Sequence, residues 1–95
     1  MIKKYEAMFF IKPNEDENKI KDIINKINNI MIYENCEIYY KEEKGIYNLA
    51  YEIKGNRKAF YYYIKFKTLD DKVPALGRVS KKVNTIAEII KHIII

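Results

Sequence analysis

Hydrophobic and polar residues alternate at the start of the chain, in the pattern that predicts a β-strand. In residues 2–12, one face of such a strand carries Tyr5, Ala7, Phe9 and Ile11. The opposite face also carries Met8 and Phe10. Because both faces are partly apolar, the pattern favours an interior strand over an edge strand.

Apolar residues next recur at the spacing of an α-helix. The stripe consists of Ile20, Ile23, Ile24, Ile27, Ile30 and Met31, all of which fall on one side of a helix. Asn14 is the predicted N-cap, with Glu17 completing a capping box. The helix is predicted to end near Tyr33, with Asn35 in the left-handed conformation that closes many helices.

Two aromatic-rich alternating segments follow and predict a long β-hairpin. The hairpin consists of residues 46–53 and 59–66, and a second strand is predicted before it at 37–44, with Ile38 and Tyr40 expected on one face and Tyr39 on the other. Gly45 marks a predicted bulge or bend, after which the alternation continues to Ile53. A basic loop at 54–58 leads into a third strand over 59–66, whose inward face carries Phe60, Tyr62, Ile64 and Phe66.

The last third of the chain predicts a second helix and a fourth strand. Residues 68–71 can cap the helix, Pro74 suits its first turn, and its apolar stripe is Val73, Leu76, Val79 and Val83. The β-branched end predicts a strand from about Glu88. The order β-α-β-β-α-β is that of the α+β ferredoxin-like fold. Such a fold has a four-stranded antiparallel sheet, central first and third strands and both helices on one face, which leaves a tyrosine-bearing face open.

Composition and charge narrow the functional classes. Ninety-five residues predict a single domain over 1–95. The net charge is +5, and residues 55–68 carry four basic side chains and no acidic one, which favours a polyanionic partner. The lone Cys36 excludes an intramolecular disulfide and a cysteine-based metal cluster. Short apolar runs and the lack of a signal-peptide pattern predict an intracellular protein without a membrane span.

Several short motifs together resemble one protein family, the bacterial small-subunit ribosomal protein six. They are Lys3-Lys4-Tyr5-Glu6, Ile11-Lys12-Pro13-Asn14, Gly45 followed by Leu49-Ala50-Tyr51-Glu52-Ile53, Phe60-Tyr61, Ile64-Lys65-Phe66 and Ile89-Ile90-Lys91-His92. They cover nearly the whole chain in the family's order, and the block after Gly45 is the most specific. Glu52 replaces the family's proline and Ala59 its usual glycine.

The resemblance implies a structural protein of the cytoplasmic small ribosomal subunit, in a bacterium or an organelle. It would bind small-subunit ribosomal RNA in the central domain, or platform, together with small-subunit ribosomal protein eighteen. It implies no catalysis, no cofactor, no small-molecule substrate and no metal.

Candidate contact residues divide into basic and aromatic sets. The predicted RNA-binding residues are Lys3, Lys4, Lys54, Arg57, Lys58, Arg78, Lys81, Lys82 and Lys91. The predicted protein interface consists of Tyr51, Tyr61 and Tyr63, because tyrosine is enriched at interfaces. The alternative for each basic side chain is a solvated surface group. Tyr51 can instead belong to the core, and the open-face tyrosines can instead stack on bases.

Other functions of the same topology are less well supported. A single-stranded RNA-binding RRM requires an aromatic residue at the eighth position of its third-strand motif, where this chain has Lys65. An acylphosphatase-like enzyme requires an arginine in a glycine-rich loop after the first strand, where the chain has Lys12-Pro13-Asn14. A small-molecule regulatory domain would leave the basic hairpin unexplained.

Overall fold

The computed structural model describes residues 3–68 and 74–95, and within them two helices cover one side of a four-stranded antiparallel sheet. The elements are β1 (Lys3–Ile11), α1 (Glu17–Tyr33), β2 (Cys36–Ile53), β3 (Asn56–Thr68), α2 (Pro74–Asn84) and β4 (Ile89–Ile94). The spatial order is β2-β3-β1-β4. The ferredoxin-like topology and the central position of β1 and β3 are therefore confirmed.

The core lies between the helices and the face of the sheet that the alternation predicted. From β1 and β3 it takes Ala7, Phe9, Ile11, Tyr62, Ile64 and Phe66, and from α1 it takes Ile20, Ile23, Ile24, Ile27 and Met31. Val79 and Val83 of α2, Cys36 of β2 and Ile89 of β4 complete it. Burying one such large side chain contributes about 1.5 to 3 kcal/mol. The apolar stripes therefore supply the force that holds both helices on this face.

The predicted residue was wrong at the start of α1 and right at its end. The N-cap is Asp16, whose carboxylate accepts a hydrogen bond from the backbone N–H of Asn18 at 3.0 Å. The prediction of Asn14 was wrong, because Asn14 lies two residues too early and its side chain instead accepts from the N–H of Asp16 at 2.9 Å. At the other end, Asn35 has φ of 58°, which confirms the left-handed residue.

Strand β2 is one irregular strand in which the pairing with β3 shifts at three places. One shift separates Ile38, which faces the core opposite Phe66, from Tyr40, which lies opposite Lys65. Tyr40 therefore faces away from the helices, and the prediction that it shares a face with Ile38 was wrong. The second shift confirms the bulge at Gly45, whose φ is +92°. The third lies between Asn48 and Ile53.

The hairpin turn is shorter than predicted. Lys54 and Gly55, with φ of 48° and 80°, form the turn between β2 and β3. Residues 57–58 are therefore strand residues and not loop residues. Their charged side chains led to the prediction of a loop. A two-stranded hairpin that extends beyond the rest of the sheet can, however, carry charged side chains on both faces.

The start of the last strand agrees with its predicted position at about Glu88. Helix α2 begins at Pro74, and β4 begins one residue after Glu88. Strand β4 pairs with β1 so that Ile94 lies opposite Ala7 and Lys91 opposite Phe10. Ile2, residues 69–71 of the predicted helix cap and Val73 of the predicted stripe lie outside the described residues.

Candidate RNA and protein interfaces

An aromatic ladder crosses the open face of the sheet near its hairpin end. It consists of Phe10, Tyr61 and Tyr47, one from each of β1, β3 and β2. The rings of Phe10 and Tyr61 have centroids 4.7 Å apart and planes 15° apart, and those of Tyr61 and Tyr47 are 5.0 Å and 35° apart. The ring faces are thus turned toward each other. The Tyr61 ring therefore lies between two other rings, unlike the rings of an RRM sheet, on which bases lie against exposed ring faces.

A second aromatic group, formed by Tyr40 and Tyr63, lies farther along the same face among charged side chains. The Tyr40 hydroxyl donates to the Glu42 carboxylate at 2.7 Å, which also accepts from Lys44 at 3.2 Å. The hydrogen bond to Glu42 is the main cause that raises the pKa of Tyr40. Burial, followed by a hydrogen bond with Glu6, raises the pKa of Tyr63. Both phenols therefore stay neutral at pH 7.

Lysines of the open face are held over tyrosine rings. Lys44 lies 5.5 Å from the centroid of Tyr63, and Lys65 lies 5.5 Å from that of Tyr40. At the far end of the face, Lys4 lies 5.9 Å from the centroid of Tyr39. Such cation–π contacts keep the ammonium groups close to the sheet while leaving them hydrated. The open face is consequently both aromatic and cationic.

The predicted RNA-binding residues of the strands lie at two opposite ends of the molecule. Lys3 and Lys4 are paired with the C-terminal end of β3. Lys54 lies in the hairpin turn at the other end of the same strand, and the long axis of the molecule measures 40 Å. The structure does not bring the two basic groups together, so they would contact different parts of an RNA.

The hairpin end projects beyond the rest of the sheet. Strand β1 reaches only to the level of Phe60 of β3, whereas β3 starts at Asn56. The projecting part, called here the hairpin arm (residues 47–59), carries Lys54, Arg57 and Lys58. The side chain of Arg57 is 87% exposed, and its distance of 3.7 Å from Glu52 makes a weak ion pair.

The basic residues of α2 and β4 are in different settings. The guanidinium Nε of Arg78 lies 3.0 Å from both carboxylate oxygens of Glu34, and Lys82 lies 3.8 Å from one of them. Lys82 also lies 3.8 Å from the centroid of the Tyr33 ring. Lys81 is exposed on α2, while Lys91 is exposed on the open face beside the ladder. Arg78 and Lys82 therefore have a protein partner already.

Glu34 is not among the predicted site residues. Its side chain is only 5% exposed, and it lies at the C-cap of α1. No periodic pattern marks it, because it follows the last turn of the helix. The only available signal was an acid immediately before Asn35 and Cys36, at a place where the chain must turn into the sheet.

The tyrosines of the predicted protein interface also lie in two separate places. Tyr61 and Tyr63 lie on the open face in the centre of the sheet. Tyr51 is 66% exposed and lies in the irregular part of the hairpin arm. A partner that covers Tyr61 and Tyr63 would have to extend along the arm to contact Tyr51 as well.

Neither Cys36 nor His92 is placed for catalysis. Burial, followed by the Glu34 carboxylate, raises the pKa of the Cys36 thiol, which disfavours the nucleophilic thiolate. Burial lowers the pKa of His92, whose ring packs 6.3 Å from that of Phe9. Within the described residues, no cluster of three or more potential ligands could hold a metal ion. In the same part of the chain, no helix is long and apolar enough to cross a membrane.

Comparison with known proteins gives a consistent result. The profile of the family described as "Ribosomal protein S6" matches residues 4–95. The chain is 33% identical to small ribosomal subunit protein bS6 of Phytoplasma australiense over 94 residues, covering 99% of this chain and 98% of the relative. It is 35% identical to bS6 of Halalkalibacterium halodurans over 80 residues, 84% of each chain.

A solved structure agrees with these sequence relatives. The crystal structure of 30S ribosomal protein S6 from Thermotoga maritima superimposes with a TM-score of 0.89 and 25% identity, covering 100% of this chain and 87% of that one. The predicted resemblance is thereby confirmed, and the enzyme alternative is excluded. The chain belongs to the ribosomal protein S6 family and is a structural, non-enzymatic protein of the cytoplasmic small ribosomal subunit.

Proposed function

We propose that this protein binds small-subunit ribosomal RNA in the central domain, together with small-subunit ribosomal protein eighteen. The observation that carries the proposal is the hairpin arm, which projects beyond the sheet and bears Lys54, Arg57 and Lys58. A projecting, cationic hairpin can enter a groove of folded RNA and contact phosphates on either side. Such contacts set affinity and register, while RNA shape and the neighbouring protein supply specificity.

Lys3 and Lys4 form a second proposed RNA contact at the opposite end of the sheet. Lys81 and Lys91 are exposed and remain candidates. Arg78 and Lys82 are weaker candidates, because Glu34 holds their cationic groups. An RNA that displaced them would leave a buried carboxylate without its partners, which costs free energy.

The open face is the proposed site for protein eighteen. Tyrosine hydroxyls and an apolar margin at Met8 and Ile93 suit a protein better than a base, since the central ring of the ladder, Tyr61, already lies between Phe10 and Tyr47. In this arrangement Tyr61 and Tyr63 lie under the partner protein, and Tyr51 borders it along the arm.

Binding titrations against salt concentration test the RNA contacts. We expect Arg57→Gln combined with Lys58→Gln to reduce the salt slope by about 0.7 to 0.9 per lost phosphate contact. Lys3→Gln with Lys4→Gln should act in the same way and independently. The matched control is Lys19→Gln with Lys26→Gln, on the exposed side of α1. Unchanged slopes for both test pairs would refute the proposed RNA sites.

Calorimetry with purified protein eighteen, and co-sedimentation with assembled small subunits, test the protein interface. Tyr61→Ala and Tyr63→Ala should weaken binding about tenfold or more, which corresponds to the loss of a central aromatic contact. Tyr33→Ala serves as the control, because Tyr33 is 75% exposed and lies on the helical side of the molecule. Equal affinities of the test variants and the control would contradict the proposal.

A further inference from the structure

A groove on the helical side of the molecule is lined by both apolar and acidic residues. It lies between the start of α1 and the edge strand β2, and its volume is about 560 Å³. Ile20, Ile46 and Phe60 form its apolar floor, and Glu15, Glu17 and Glu43 line its rim together with Lys21. This is called here the α1–β2 groove.

The groove exists because the start of α1 is too polar to cover the sheet beneath it. The helix begins at Glu17, and Ile20 is its first apolar residue. Ile46 of β2 faces the same side as Phe60 of β3 and lies directly opposite it. Ile46 nevertheless remains 54% exposed. An exposed apolar surface in a concave site is typical of a binding site for a partner.

The charge on the rim indicates which partner fits. Three carboxylates and one ammonium group surround the floor, in a protein whose net charge is +5. Phosphates of RNA would be repelled here, whereas a cationic side chain would be attracted and steered to the site. The partner of the groove would therefore be cationic, whereas the RNA proposed for the hairpin arm is anionic.

The form of the partner follows from the edge strand. No strand lies beyond β2 in the order β2-β3-β1-β4, so an extended segment can run along this side of the described sheet. The pairing of β2 shifts between Glu43 and Gly45, beside the groove, which disfavours the addition of a regular strand. Side chains and not a continuous backbone ladder would therefore carry the contact.

We propose that the α1–β2 groove binds an extended basic segment of another protein, with one bulky apolar side chain on the floor and arginine or lysine side chains on the acidic rim. This protein site is separate from the open face. The proposal does not rely on the proposed RNA or protein-eighteen contacts.

A peptide titration followed by two-dimensional NMR of the full chain tests the proposal. The probe is an octapeptide of alternating arginine and leucine, with an octapeptide of alternating glutamate and leucine as the control. We expect the basic peptide to shift amide signals of residues 15–24, 43–46 and 60. The acidic peptide should leave them unchanged. Shifts confined to the open face or the hairpin arm would overturn the proposal.

Two kinds of variant test the contributions of the floor and of the rim to peptide binding separately. Ile46→Ser should weaken peptide binding about tenfold or more, because it removes the apolar side chain that the peptide would cover. Glu17→Gln combined with Glu43→Gln should also weaken it and make the remaining affinity nearly insensitive to salt, because the rim then carries no net charge. Ile32→Ser, at a position 68% exposed elsewhere on α1, should bind like the unmodified protein.

The same titration with decauridine decides between the two classes of macromolecule. If decauridine and not the basic peptide shifts the groove signals, the groove is an RNA site and the proposal is wrong. The groove variants should keep the salt slope of ribosomal RNA binding. A failure of the groove proposal is therefore distinguishable from a failure of the proposed RNA contacts, which only the Lys and Arg variants of the strands affect.

Discussion

The ion pair between Glu34 and Arg78 connects the end of α1 to α2. A carboxylate that is 5% exposed is stable in its charged form only when it has a cationic or hydrogen-bonding partner. The Arg78 Nε is shared between both oxygens at 3.0 Å. Arg78 is half exposed, so its own desolvation cost is small. The pair therefore resembles a partly buried bridge, in which loss of one partner costs more than the pair contributes.

Replacing Arg78 by methionine should lower the free energy of unfolding by about 2 kcal/mol, the cost of leaving a buried charged acceptor without its main donor. Methionine keeps the apolar stem of the side chain, so lost packing contributes little. The urea midpoint at pH 7 measures the effect. Lys81→Met on the same helix, at an exposed position, should leave the midpoint unchanged. A normal midpoint for Arg78→Met would mean that Lys82 alone satisfies Glu34.

His92 makes the stability of the fold depend on pH. Burial lowers its pKa below the ordinary value of 6.5, and its Nε2 lies 3.3 Å from the Ser80 hydroxyl. The unfolded chain therefore binds a proton at a higher pH than the folded chain. The stabilisation by neutral His92 is fully present above pH 6.5 and is lost as the pH falls toward the folded-state pKa.

The substitution His92→Gln should remove this pH dependence. Between pH 7.5 and 5.5 we expect the free energy of unfolding of the unmodified protein to fall more than that of the variant. Most carboxylates remain ionised in this window, so they contribute little to the difference. Denaturation curves at the two pH values provide the measurement. Parallel decreases in both proteins would contradict the role given to His92.

At the scale of elements, replacing the glycine of β2 and the glycine of α2 should have opposite effects on stability. Gly45 occupies a bulge with φ of +92°, while Gly77 lies inside a helix, and a Cβ at either position would meet no atom within 4 Å. Gly77→Ala should therefore stabilise the protein by about 0.5 to 1 kcal/mol. Gly45→Ala should destabilise it by about 1 to 2 kcal/mol, because only the backbone conformation opposes it. Thermal unfolding of both variants measures the difference in sign.

The elements that were predicted correctly are those whose side chains follow an unbroken period. The faces of β1 and β3 and the stripe of α1 depend on local spacing alone. The period fails in β2, where three shifts of pairing move residues between faces and Tyr40 changes sides. Such a shift depends on what the neighbouring strand requires, which no local pattern contains. The same limit explains the hairpin turn, where charged strand residues resembled a loop.

At the scale of the molecule, the sites depend on placements that composition could not reveal. The chain showed an excess of positive charge around residues 55–68, but only the topology shows that Lys3 and Lys4 lie at the other end of a 40 Å molecule. Likewise, Glu15 and Glu17 become neighbours of Glu43 only when α1 crosses β2. The result is a surface divided into a basic arm, an aromatic open face and an acidic groove. Each region suits a different kind of contact.

Because the two basic groups lie at opposite ends of the molecule, radical sources attached at each end should cleave different parts of the bound RNA. Lys54→Cys and Lys3→Cys each place one exposed thiol at one end of the molecule. Cys36 should not react, because it is buried and its pKa is raised. With an iron chelate on each thiol, we expect cleavage of small-subunit ribosomal RNA at two distinct sets of nucleotides, since the radicals act only close to their source.

The control is Lys26→Cys, on the exposed side of α1, which should give weak cleavage or none. If the arm and the N-terminal pair both contact RNA, each probe should cut strongly and neither set should include the other. Overlapping sets would mean that the RNA folds back along the molecule. Strong cleavage from Lys26→Cys, together with none from the other two positions, would place the RNA on the helical side, where the acidic groove should repel it.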